Sequence, residues 1–555
     1  MRADRSSDTL LEPADVAVVG SGPVGLKVAL DLADAGMKVL VIESGREGTN
    51  AKSQALSDAL LVNERSHAPM SLAVKRAFGG TSNLWGGRAV ALDEIDFAER
   101  RHAPSASWPI PFSEVARWYD SACRFLDCGP PVFEDRAFAE LEAHADGLKL
   151  DRLERWCANP RLRSVQGKRV QNHPNIRVAL GTTVLRINMD GDGRTVRDLL
   201  VDVDGMRDRV RARSYVIAAG GLETARLLLA SRAPNPRLFN GPNGPLGRNY
   251  MGHIFGSIAD IVFDRPLDKH FDFARDASGR YVRRRFSLDG ATQAANGVLN
   301  MSAWPEPPPL DDPRHGSGIL SLAYLALSTP VLGRLLSPEA IRLRKVGEHR
   351  AAIGPHALNV LKDVFGSTAL ASKFLLARYG SSVRLPGFFV PSKSHRYAFH
   401  YHGEHLPNAE SRVRLTDRTD AFGLPRLAID LRFNDFDAAS IVRTHELMDA
   451  RLRATGIAHL EFKAQGDERV RSVLAQASDG FHQIGTARMS ASERDGVVDT
   501  NARVHGTANL YLAGSAIFAS SGQANPTLTA VALAARLAAH LKTAQRALPA
   551  PAMAH

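Results

Sequence analysis

The sequence predicts an α/β protein with a parallel sheet and a second domain in the middle of the chain. Three segments support this prediction: a strand–glycine–helix–strand unit over residues 15–43, a strand and helix over 214–230, and another strand and helix over 510–542. The chain of 555 residues has room for two or three domains. Its content of 44% hydrophobic and 23% charged residues is typical of a globular protein and excludes a disordered or fibrous one.

The first segment has the pattern of a β-α-β unit. Residues 16–19 form a short β-branched run that ends at Gly20, and residues 24–35 place apolar side chains on one face of a helix. A second apolar strand follows over residues 39–42 and ends at Glu43. Two strands joined in this way through a helix lie parallel in one sheet.

The loop of this unit carries a dinucleotide-binding fingerprint. Gly20 allows a tight turn, Gly22 lets the backbone approach a pyrophosphate, and Gly25 lets the helix pack closely on the strand. The N-terminus of the helix offers free N–H groups and a favourable dipole to the phosphates. Glu43, at the end of the second strand, is suited to the hydroxyls of a ribose. The fingerprint alone does not separate FAD from NAD, but its position at the start of a long chain favours FAD.

Further strands and helices are expected along the chain. The expected strands cover residues 178–188, 199–203, 214–219 and 510–513. The expected helices cover residues 223–230, 335–350, 355–378 and 526–542.

Charge and cysteine content exclude several classes of function. The formal net charge of +11 comes mostly from scattered arginines, without the clustered basic face of a nucleic-acid-binding protein. The three cysteines are too few for a disulfide framework and lack the spacing of a zinc site. No apolar leader or membrane-spanning run is found. We therefore expect a cytoplasmic protein with no nucleic acid, no metal and no transmembrane segment; the oligomeric state stays open.

Two further motifs point to one family. The first is the glycine-rich segment FGGTSNLWGGR over residues 78–88, and the second is a C-terminal block that reads HQIGTARM, NLYLAGS and ANPTLT in order. With the fingerprint, they make the chain resemble the glucose–methanol–choline (GMC) family of FAD-dependent oxidoreductases over essentially its whole length. Within that family it looks most like the branch of pyranose oxidases, fructose- and gluconate-type dehydrogenases and aminoglycoside-pathway alcohol oxidases.

The resemblance implies a fold and a division into domains. A Rossmann-type FAD-binding domain would be discontinuous, with a substrate domain of antiparallel sheet plus helices inserted in it. The FAD-binding parts would be residues 1–100, 170–255 and 476–555, a linking and covering segment would be 101–169, and the substrate domain would be 256–475.

The resemblance also implies a mechanism. An alcohol loses its hydroxyl proton to a base and a carbon-bound hydride to flavin N5. His482 matches the catalytic histidine of the family, and an imidazole titrates near the working pH. Asn525 matches the second catalytic position, which is His or Asn in different members, and its amide can donate a hydrogen bond to the substrate oxygen.

Several residues match the cofactor-binding segments of the family. Those expected near the flavin, its ribityl chain or the pyrophosphate are Gly79, Gly80, Thr81, Asn83, Gly514, Ser515, Pro526 and Thr527. Pro526 is suited to the first turn of the last helix, whose N-terminus would stabilise negative charge on the flavin. Pyranose oxidases attach their flavin through a histidine in the glycine-rich loop, but Leu84 stands at that position here. The resemblance therefore implies FAD held without a covalent bond.

A histidine-rich segment over residues 396–405 allows three interpretations. His400, His402 and Glu404 alternate, so a strand would place them on one face like a set of metal ligands. The resemblance instead makes this segment a strand of the substrate domain, in which His400 and His402 are candidate substrate contacts or ordinary sheet residues.

The resemblance implies oxidation of a hydroxyl on a sugar, glycoside or cyclitol, with O₂ or a redox partner as the electron acceptor. Three alternatives remain open. The chain could be a dehydrogenase that passes electrons to a quinone or cytochrome partner, a lyase of the same fold with a non-redox FAD, or a binding protein with a vestigial flavin. An apolar face over residues 355–378 fits core or lid packing, and it also fits a surface for a redox partner or a membrane.

Overall fold

The structure is a computed structural model that describes residues 12–232, 238–337, 339–347, 353–387 and 389–546. Its strands, in chain order, are β1 Ala14–Val19, β2 Val39–Glu43, β3 Leu60–Leu61, β4 Arg88–Ala89, β5 Leu148–Trp156, β6 Ile176–Leu180, β7 Thr182–Met189, β8 Val196–Val203, β9 Met206–Val210, β10 Ala212–Ile217, β11 His253–Phe263, β12 Ala274–Arg275, β13 Tyr281–Leu288, β14 Met301–Glu306, β15 Arg396–Glu404, β16 Arg412–Thr419, β17 Pro425–Asp430, β18 Ala458–Phe462 and β19 Leu510–Leu512.

The α-helices are α1 Pro23–Ala33, α2 Ala51–Ala55, α3 Met70–Ala73, α4 Phe112–Ala116, α5 Tyr119–Leu126, α6 Ala139–Glu142, α7 Leu162–Gln171, α8 Gly221–Ser231, α9 Gly290–Asn296, α10 Gly318–Ser328, α11 Pro330–Leu336, α12 Glu339–Val346, α13 Ile353–Lys362, α14 Val364–Tyr379, α15 Asp435–Thr455, α16 Glu468–Gln476 and α17 Thr527–Arg546. Short 3-10 turns cover Gly80–Asn83, Glu94–Asp96, Pro104–Ala106, Leu238–Asn240, Asp268–Phe271, Pro313–His315 and Ser515–Ile517.

A five-stranded parallel sheet in the order β19-β10-β1-β2-β6 forms the first layer. Its central strand pairs Val16 with both Val39 and Ser214, and all six residues of β1 except one are buried. Helices α1 and α17 pack on each other against this sheet. Strands buried on both faces are continuous apolar runs, which is why the sequence pattern identifies them.

An antiparallel sheet forms the second layer. Its main path is β18-β11-β15-β14-β13-β5-β4, and β12 pairs with β13. A second apolar core lies between this sheet and α15, with Phe286, Phe399 and Met448 fully enclosed. The predicted fold class, a Rossmann-type domain with an antiparallel substrate domain, is therefore confirmed.

The expected strand over 178–188 is in fact two strands in different sheets. Gly181, with a φ of +67°, separates β6 from β7. β6 pairs parallel with β2, whereas β7 pairs antiparallel with β8. A residue with positive φ reverses the strand direction, and glycine adopts that conformation without strain.

The domain boundaries predicted from the sequence stay a prediction. The predicted linking segment 101–169 contributes β5 to the antiparallel sheet, between β13 and the edge strand β4. Val413, Leu427 and Ile429 lie inside the predicted substrate region, but they pack in the apolar core of the first layer.

A group of helices, α10 to α14, stands beside the second layer around a small apolar core of Leu310, Leu320, Tyr324 and Val346. The helix expected over 355–378 begins earlier and is interrupted at Asp363, where the φ of −143° ends α13. Part of the helix expected over 335–350 lies outside the described residues. Among the described residues, no single helix is long and apolar enough to cross a membrane; α10 and α11 reach that length only together, bent at 112°.

Candidate active site

A cavity of about 1310 Å³ extends from the carboxyl ends of β1 and β2 to His482 and Asn525. Ligand-binding crevices of parallel α/β sheets open at this edge, because the strands end there and the helix N-termini face the opening. The cavity therefore lies between the two layers and joins the fingerprint loop to the predicted catalytic residues.

The glycine loop between β1 and α1 forms one wall. Gly20 has a φ of +104°, and a Cβ at Gly25 would lie 2.0 Å from the carbonyl oxygen of Gly20. Neither position accepts a side chain. A Cβ at Gly22 would meet no protein atom within 4 Å, although Gly22 lines the cavity. Bare backbone at a helix N-terminus is the kind of cradle that a pyrophosphate needs.

Glu43 lies at the end of β2 and also lines the cavity. Its Oε2 accepts hydrogen bonds from the backbone N (3.1 Å) and the Oγ (2.6 Å) of Ser21, and its Oε1 accepts one from the backbone N of Gly45 at 2.7 Å. The carboxylate therefore ties the glycine loop to the second strand. A carboxylate has further lone pairs for a ribose hydroxyl, and that contact stays a prediction.

The segment from Gly79 to Asn83 crosses the glycine loop. A Cβ at Gly80 would lie 2.9 Å from the Cα of Gly22, so the two glycine-rich loops are in van der Waals contact. Gly80 and Thr81 line the cavity. The side-chain amide of Asn83 donates to the carbonyls of Phe78 (3.0 Å) and Gly80 (2.8 Å), and the backbone N of Gly79 donates to Ser21 Oγ at 3.2 Å. Asn83 and Gly79 thus hold the turn, while Gly80 and Thr81 face the cavity.

Gly514, Ser515, Pro526 and Thr527 all line the cavity. Gly514 follows β19 with a φ of +118° and has no protein atom within 4 Å of a Cβ position. Ser515 Oγ donates to the carbonyl of Gln483 at 2.7 Å. Helix α17 begins at Thr527, directly after Pro526, so its N-terminus faces the cavity as the sequence predicts.

His482 lies at the far end of the cavity in a segment without regular secondary structure. Its Nδ1 is 3.0 Å from Oδ2 of Asp479, and its Nε2 is 2.8 Å from Nδ2 of Asn525. A carboxylate accepts only, so the pairing places the imidazole proton on Nδ1 and leaves a lone pair on Nε2. The ring therefore presents its basic nitrogen beside Asn525. The Oδ1 of Asn525 is buried and has no hydrogen-bond partner among the described residues.

Asp479 is fully buried and holds the loop as well as the ring. Its Oδ1 accepts from the backbone N of Phe481 (2.9 Å) and of His482 (3.2 Å). Burial disfavours the charged carboxylate, but the charge and hydrogen bonds of His482 and His253 outweigh it and hold the pKa of Asp479 well below its usual value. Asp479 is therefore ionised and fixes the orientation of His482.

His253 and His402 complete a histidine cluster at this end of the cavity. Their rings are stacked with centroids 4.3 Å apart, and Nδ1 of His253 lies 3.0 Å from Nδ1 of His482. Burial lowers the pKa of His253 to about 4 and that of His402 well below its usual value. Because His253 is neutral, its Nδ1 can act as a second hydrogen-bond acceptor for the N–H at Nδ1 of His482.

The same three histidines form the one group of possible metal ligands among the described residues, with donor atoms within 4.8 Å of one another. Nδ1 of His482 pairs with Asp479, and Nδ1 of His402 donates to the carbonyl of Gln523 at 2.7 Å. These hydrogen bonds fix the orientation of the two rings, and the expectation of no metal stays a prediction.

The three alternating residues of β15, His400, His402 and Glu404, lie in two different environments. His400 and His402 line the cavity, and the ring centroid of His400 lies 4.9 Å from that of Trp304. Glu404 lies away from them, where both its oxygens accept from Arg100 at 2.6 Å. The structure therefore keeps both histidines as candidate substrate contacts and removes Glu404 from the set.

Three residues of the site have no motif of their own in the sequence. Asp479 precedes His482 by three residues, and that short spacing was the only available signal. His253 begins β11, far away in the chain. Arg88 lines the cavity, forms an ion pair with Glu154 and stacks on Trp304 with its guanidinium 4.4 Å from the ring centroid. Sequence patterns do not find such residues because their roles depend on contacts across the chain.

The buried histidines predict a loss of stability in acid. His253, His405 and His445 each have a pKa lowered by burial to about 4, against 6.5 for an exposed histidine. Between these values the unfolded chain binds protons that the folded protein does not bind. The free energy of unfolding should therefore fall by about 1.4 kcal/mol per pH unit for each group as the pH drops from 6.5 to 4.

Thermal unfolding of the holoenzyme between pH 7.5 and 4.5 measures this effect. His445→Phe is the matched variant, because His445 lies outside the cavity lining and bonds only to the carbonyl of Ile441. It should show a smaller fall in Tm than the wild-type protein. An equal fall in both proteins would contradict the assignment for His445.

The residues present fit FAD. The bare backbone at Gly22 and Gly514 leaves room for a pyrophosphate and a ribityl chain, and Asn525, which lines the cavity, has a buried Oδ1 without a hydrogen-bond partner among the described residues. A cavity of this volume, with two helix N-termini on its wall, matches a long anionic dinucleotide.

Comparison with known families gives two matches. A profile described as FAD dependent oxidoreductase matches residues 15–313, more than half of the chain, and a profile described as GMC oxidoreductase matches residues 407–534.

Individual proteins match over nearly the whole chain. The chain is 25% identical to paromamine 6′-oxidase of Streptomyces fradiae over 94% of its own length and 90% of that protein. It is 22% identical to 2-methyl-1,2-propanediol dehydrogenase of Mycolicibacterium austroafricanum over 95% of each. In fold it is similar to formate oxidase of Aspergillus oryzae, with a TM-score of 0.53, 16% identity, and coverage of 97% of this chain and 99% of that one. With both profiles matched and a site that fits the cofactor, the chain belongs to the GMC family of FAD-dependent oxidoreductases.

Proposed function

We propose that this enzyme oxidises a hydroxyl of a sugar, glycoside or cyclitol to a carbonyl. The observation that carries the proposal is the arrangement at His482: Asp479 holds Nδ1, and the lone pair of Nε2 accepts from the amide of Asn525 at 2.8 Å at the end of the cavity. A substrate hydroxyl that replaces this contact would receive a hydrogen bond from the Asn525 amide while Nε2 of His482 removes its proton. FAD, when bound, supplies the acceptor for the hydride that leaves the same carbon.

The lining of the cavity supports a polyhydroxylated substrate. The ring of Phe255 stacks beside His402, which in turn lies beside His482, and His400, Glu306 and Lys463 add polar side chains to the lining of the same cavity. Apolar surface with a few convergent polar groups is typical of a site that binds and orients a small ligand. The chain is also 24% identical to a protein named C-glycoside 3-oxidase, from Microbacterium trichothecenolyticum, over 95% of its own length, and that name supports the same substrate class.

We also propose that FAD is held without a covalent bond. Leu84 stands where pyranose oxidases carry the attaching histidine, and it lines the cavity without a nucleophilic atom. Acid precipitation of the enzyme should leave the yellow flavin in the supernatant; flavin that stays in the pellet would contradict the proposal.

Anaerobic mixing with a panel of sugars, cyclitols and simple aliphatic alcohols tests the function. We expect at least one polyol to bleach the visible absorbance of the flavin, much faster than an aliphatic alcohol does. Failure of every alcohol, while dithionite still bleaches the flavin, would favour a non-redox lyase. Reoxidation of the bleached enzyme in air then measures whether O₂ is the acceptor or a redox partner is required, as the dehydrogenase among the relatives suggests.

A further inference from the structure

The exposed apolar side chains of this protein are concentrated in one helical region. Of nineteen large apolar side chains that are exposed among the described residues, thirteen lie between residues 331 and 379. The most exposed are Val331, Leu335, Ile353, Leu361, Phe365 and Leu376, with Phe365 90% exposed and Val331 86%. Apolar exposure concentrated in this way marks an interaction surface, whereas single exposed residues need no explanation.

The inward-facing side chains of these helices already have hydrogen-bond partners. The exposed apolar side chains therefore lie on a separate, outer face. His356 and Asn359 of α13 are buried: Nδ1 of His356 bonds to Ser321 Oγ at 3.0 Å, and Asn359 donates to the carbonyl of Pro313 at 2.8 Å. On α14, Phe365 and Leu376 are eleven residues apart, which is three helical turns, and so they lie on one outer face.

Basic side chains accompany this apolar surface. Residues 318–379 contain eight Lys and Arg against three Asp and Glu. Lys362 and Lys373 are exposed on α13 and α14, and neither forms an ion pair with a described residue. An apolar helix face flanked by lysines is the pattern of a helix that lies in a membrane interface.

We propose that the outer face of α11, α13 and α14 docks the enzyme on an anionic lipid surface, with the apolar side chains entering the interface and Lys362 and Lys373 contacting acidic headgroups. Charge decides between the possible occupants. A second copy of this chain carries the same +11 and the same basic patch, so pairing the surface with itself would bring like charges together. Acidic lipids supply both the apolar medium and the opposite charge.

The position of the surface gives docking a consequence for the enzyme. Leu343, Lys345 and Gly347, in and just after α12, line the cavity, and α12 packs on α11. The helix group that carries the surface therefore reaches the cavity wall through α12. Docking would hold that side of the cavity next to the bilayer. The proposal does not depend on which alcohol the enzyme oxidises.

Co-sedimentation of the holoenzyme with lipid vesicles tests the proposal. Vesicles of phosphatidylcholine and phosphatidylglycerol in equal parts should bind the enzyme, and vesicles of phosphatidylcholine alone should bind it at least tenfold more weakly. The double variant L361D/F365D should lose most of the binding. The double variant K362E/K373E should weaken it by about fivefold or more for each lysine, because a basic residue near an anionic surface contributes an attraction of that size.

Met206→Asp is the matched control, since Met206 is 66% exposed on β9, outside this surface. It should bind vesicles like the wild-type enzyme, and all variants should keep their flavin and its reduction by substrate. Equal binding by the wild-type and L361D/F365D enzymes would overturn the proposal. A failure to bind anionic vesicles would also overturn the proposal. If light scattering then shows a dimer that L361D/F365D abolishes, the surface pairs two copies of the chain.

Discussion

Replacing His482 by alanine should lower the rate of substrate-driven flavin reduction by about 10³-fold while the enzyme keeps its FAD, an effect within the range for a lost general base. His482 is the only described imidazole whose nitrogen faces Asn525, at 2.8 Å. The two neighbouring histidines cannot replace it, because burial depresses the pKa of His253 and His402 and removes their basicity. Anaerobic stopped-flow absorbance measures the rate directly.

His505→Ala is the control for this variant. His505 belongs to the same C-terminal segment, bonds to the carbonyl of Ser490 at 3.2 Å and does not line the cavity. It should leave the rate within about twofold of the wild-type value, as a surface change far from the reacting atoms does. A His482→Ala enzyme that reduces its flavin at a near-normal rate would show that His482 is not the base.

The Asp479→Asn variant tests whether Asp479 acts by orienting the His482 ring. The variant keeps the shape of the side chain but removes the carboxylate that accepts from Nδ1 of His482 at 3.0 Å. The rate of flavin reduction should fall by about 10²-fold or more, because the ring then lacks the acceptor that fixes its orientation and tautomer. A purely structural role for Asp479 would lower the Tm but leave the folded variant with a near-normal rate of flavin reduction.

Gly22→Ala should weaken FAD binding by more than tenfold and leave the fold intact. Gly22 has a φ of −68°, which any residue adopts, and an added Cβ would meet no protein atom within 4 Å. The methyl group would instead occupy the space where a pyrophosphate approaches the N-terminus of α1. FAD content after purification and fluorescence titration of the flavin-free protein measure the affinity, and thermal unfolding of the flavin-free protein measures the fold.

Two other glycine variants serve as comparisons for Gly22→Ala. Gly191→Ala, in the turn between β7 and β8, also adds a Cβ with no neighbour within 4 Å, but far from the cavity, so it should change neither property. Gly25→Ala forces a Cβ to 2.0 Å from the carbonyl oxygen of Gly20 and should destabilise the protein itself. If Gly22→Ala binds FAD as tightly as the wild-type protein, the cradle assigned to this loop is wrong.

Local pattern was sufficient for four strands of the parallel sheet and for a dinucleotide-binding loop, whereas FAD itself came from the family resemblance. β1, β2, β10 and β19 each lie within two residues of the strand expected from the sequence, and each contains a short buried apolar run. Gly20 needs a positive φ and Gly25 needs a clearance that no other residue provides, so their spacing is visible in the chain itself.

The antiparallel layer was less predictable. Its strands come from segments as far apart as Arg88–Ala89 and Ala458–Phe462, and short or edge strands carry little signal of their own. A single glycine at 181 divides one apparent strand between two sheets. Alternation shows that a segment is extended, but it does not show which partner the segment will pair with.

The residue pattern predicts the fold class and the dinucleotide-binding loop, and the resemblance to a family assigns the catalytic roles to His482 and Asn525, which stay a prediction. These inferences are possible because they depend on residue type at short spacing or on motifs shared by a family. The folded structure adds three features: Asp479 and His253 contact His482, Glu404 pairs with Arg100, and apolar side chains are exposed together on α11, α13 and α14. These features depend on which distant segments the fold brings within a few ångströms and which side chains it leaves exposed, and neither is encoded in local periodicity.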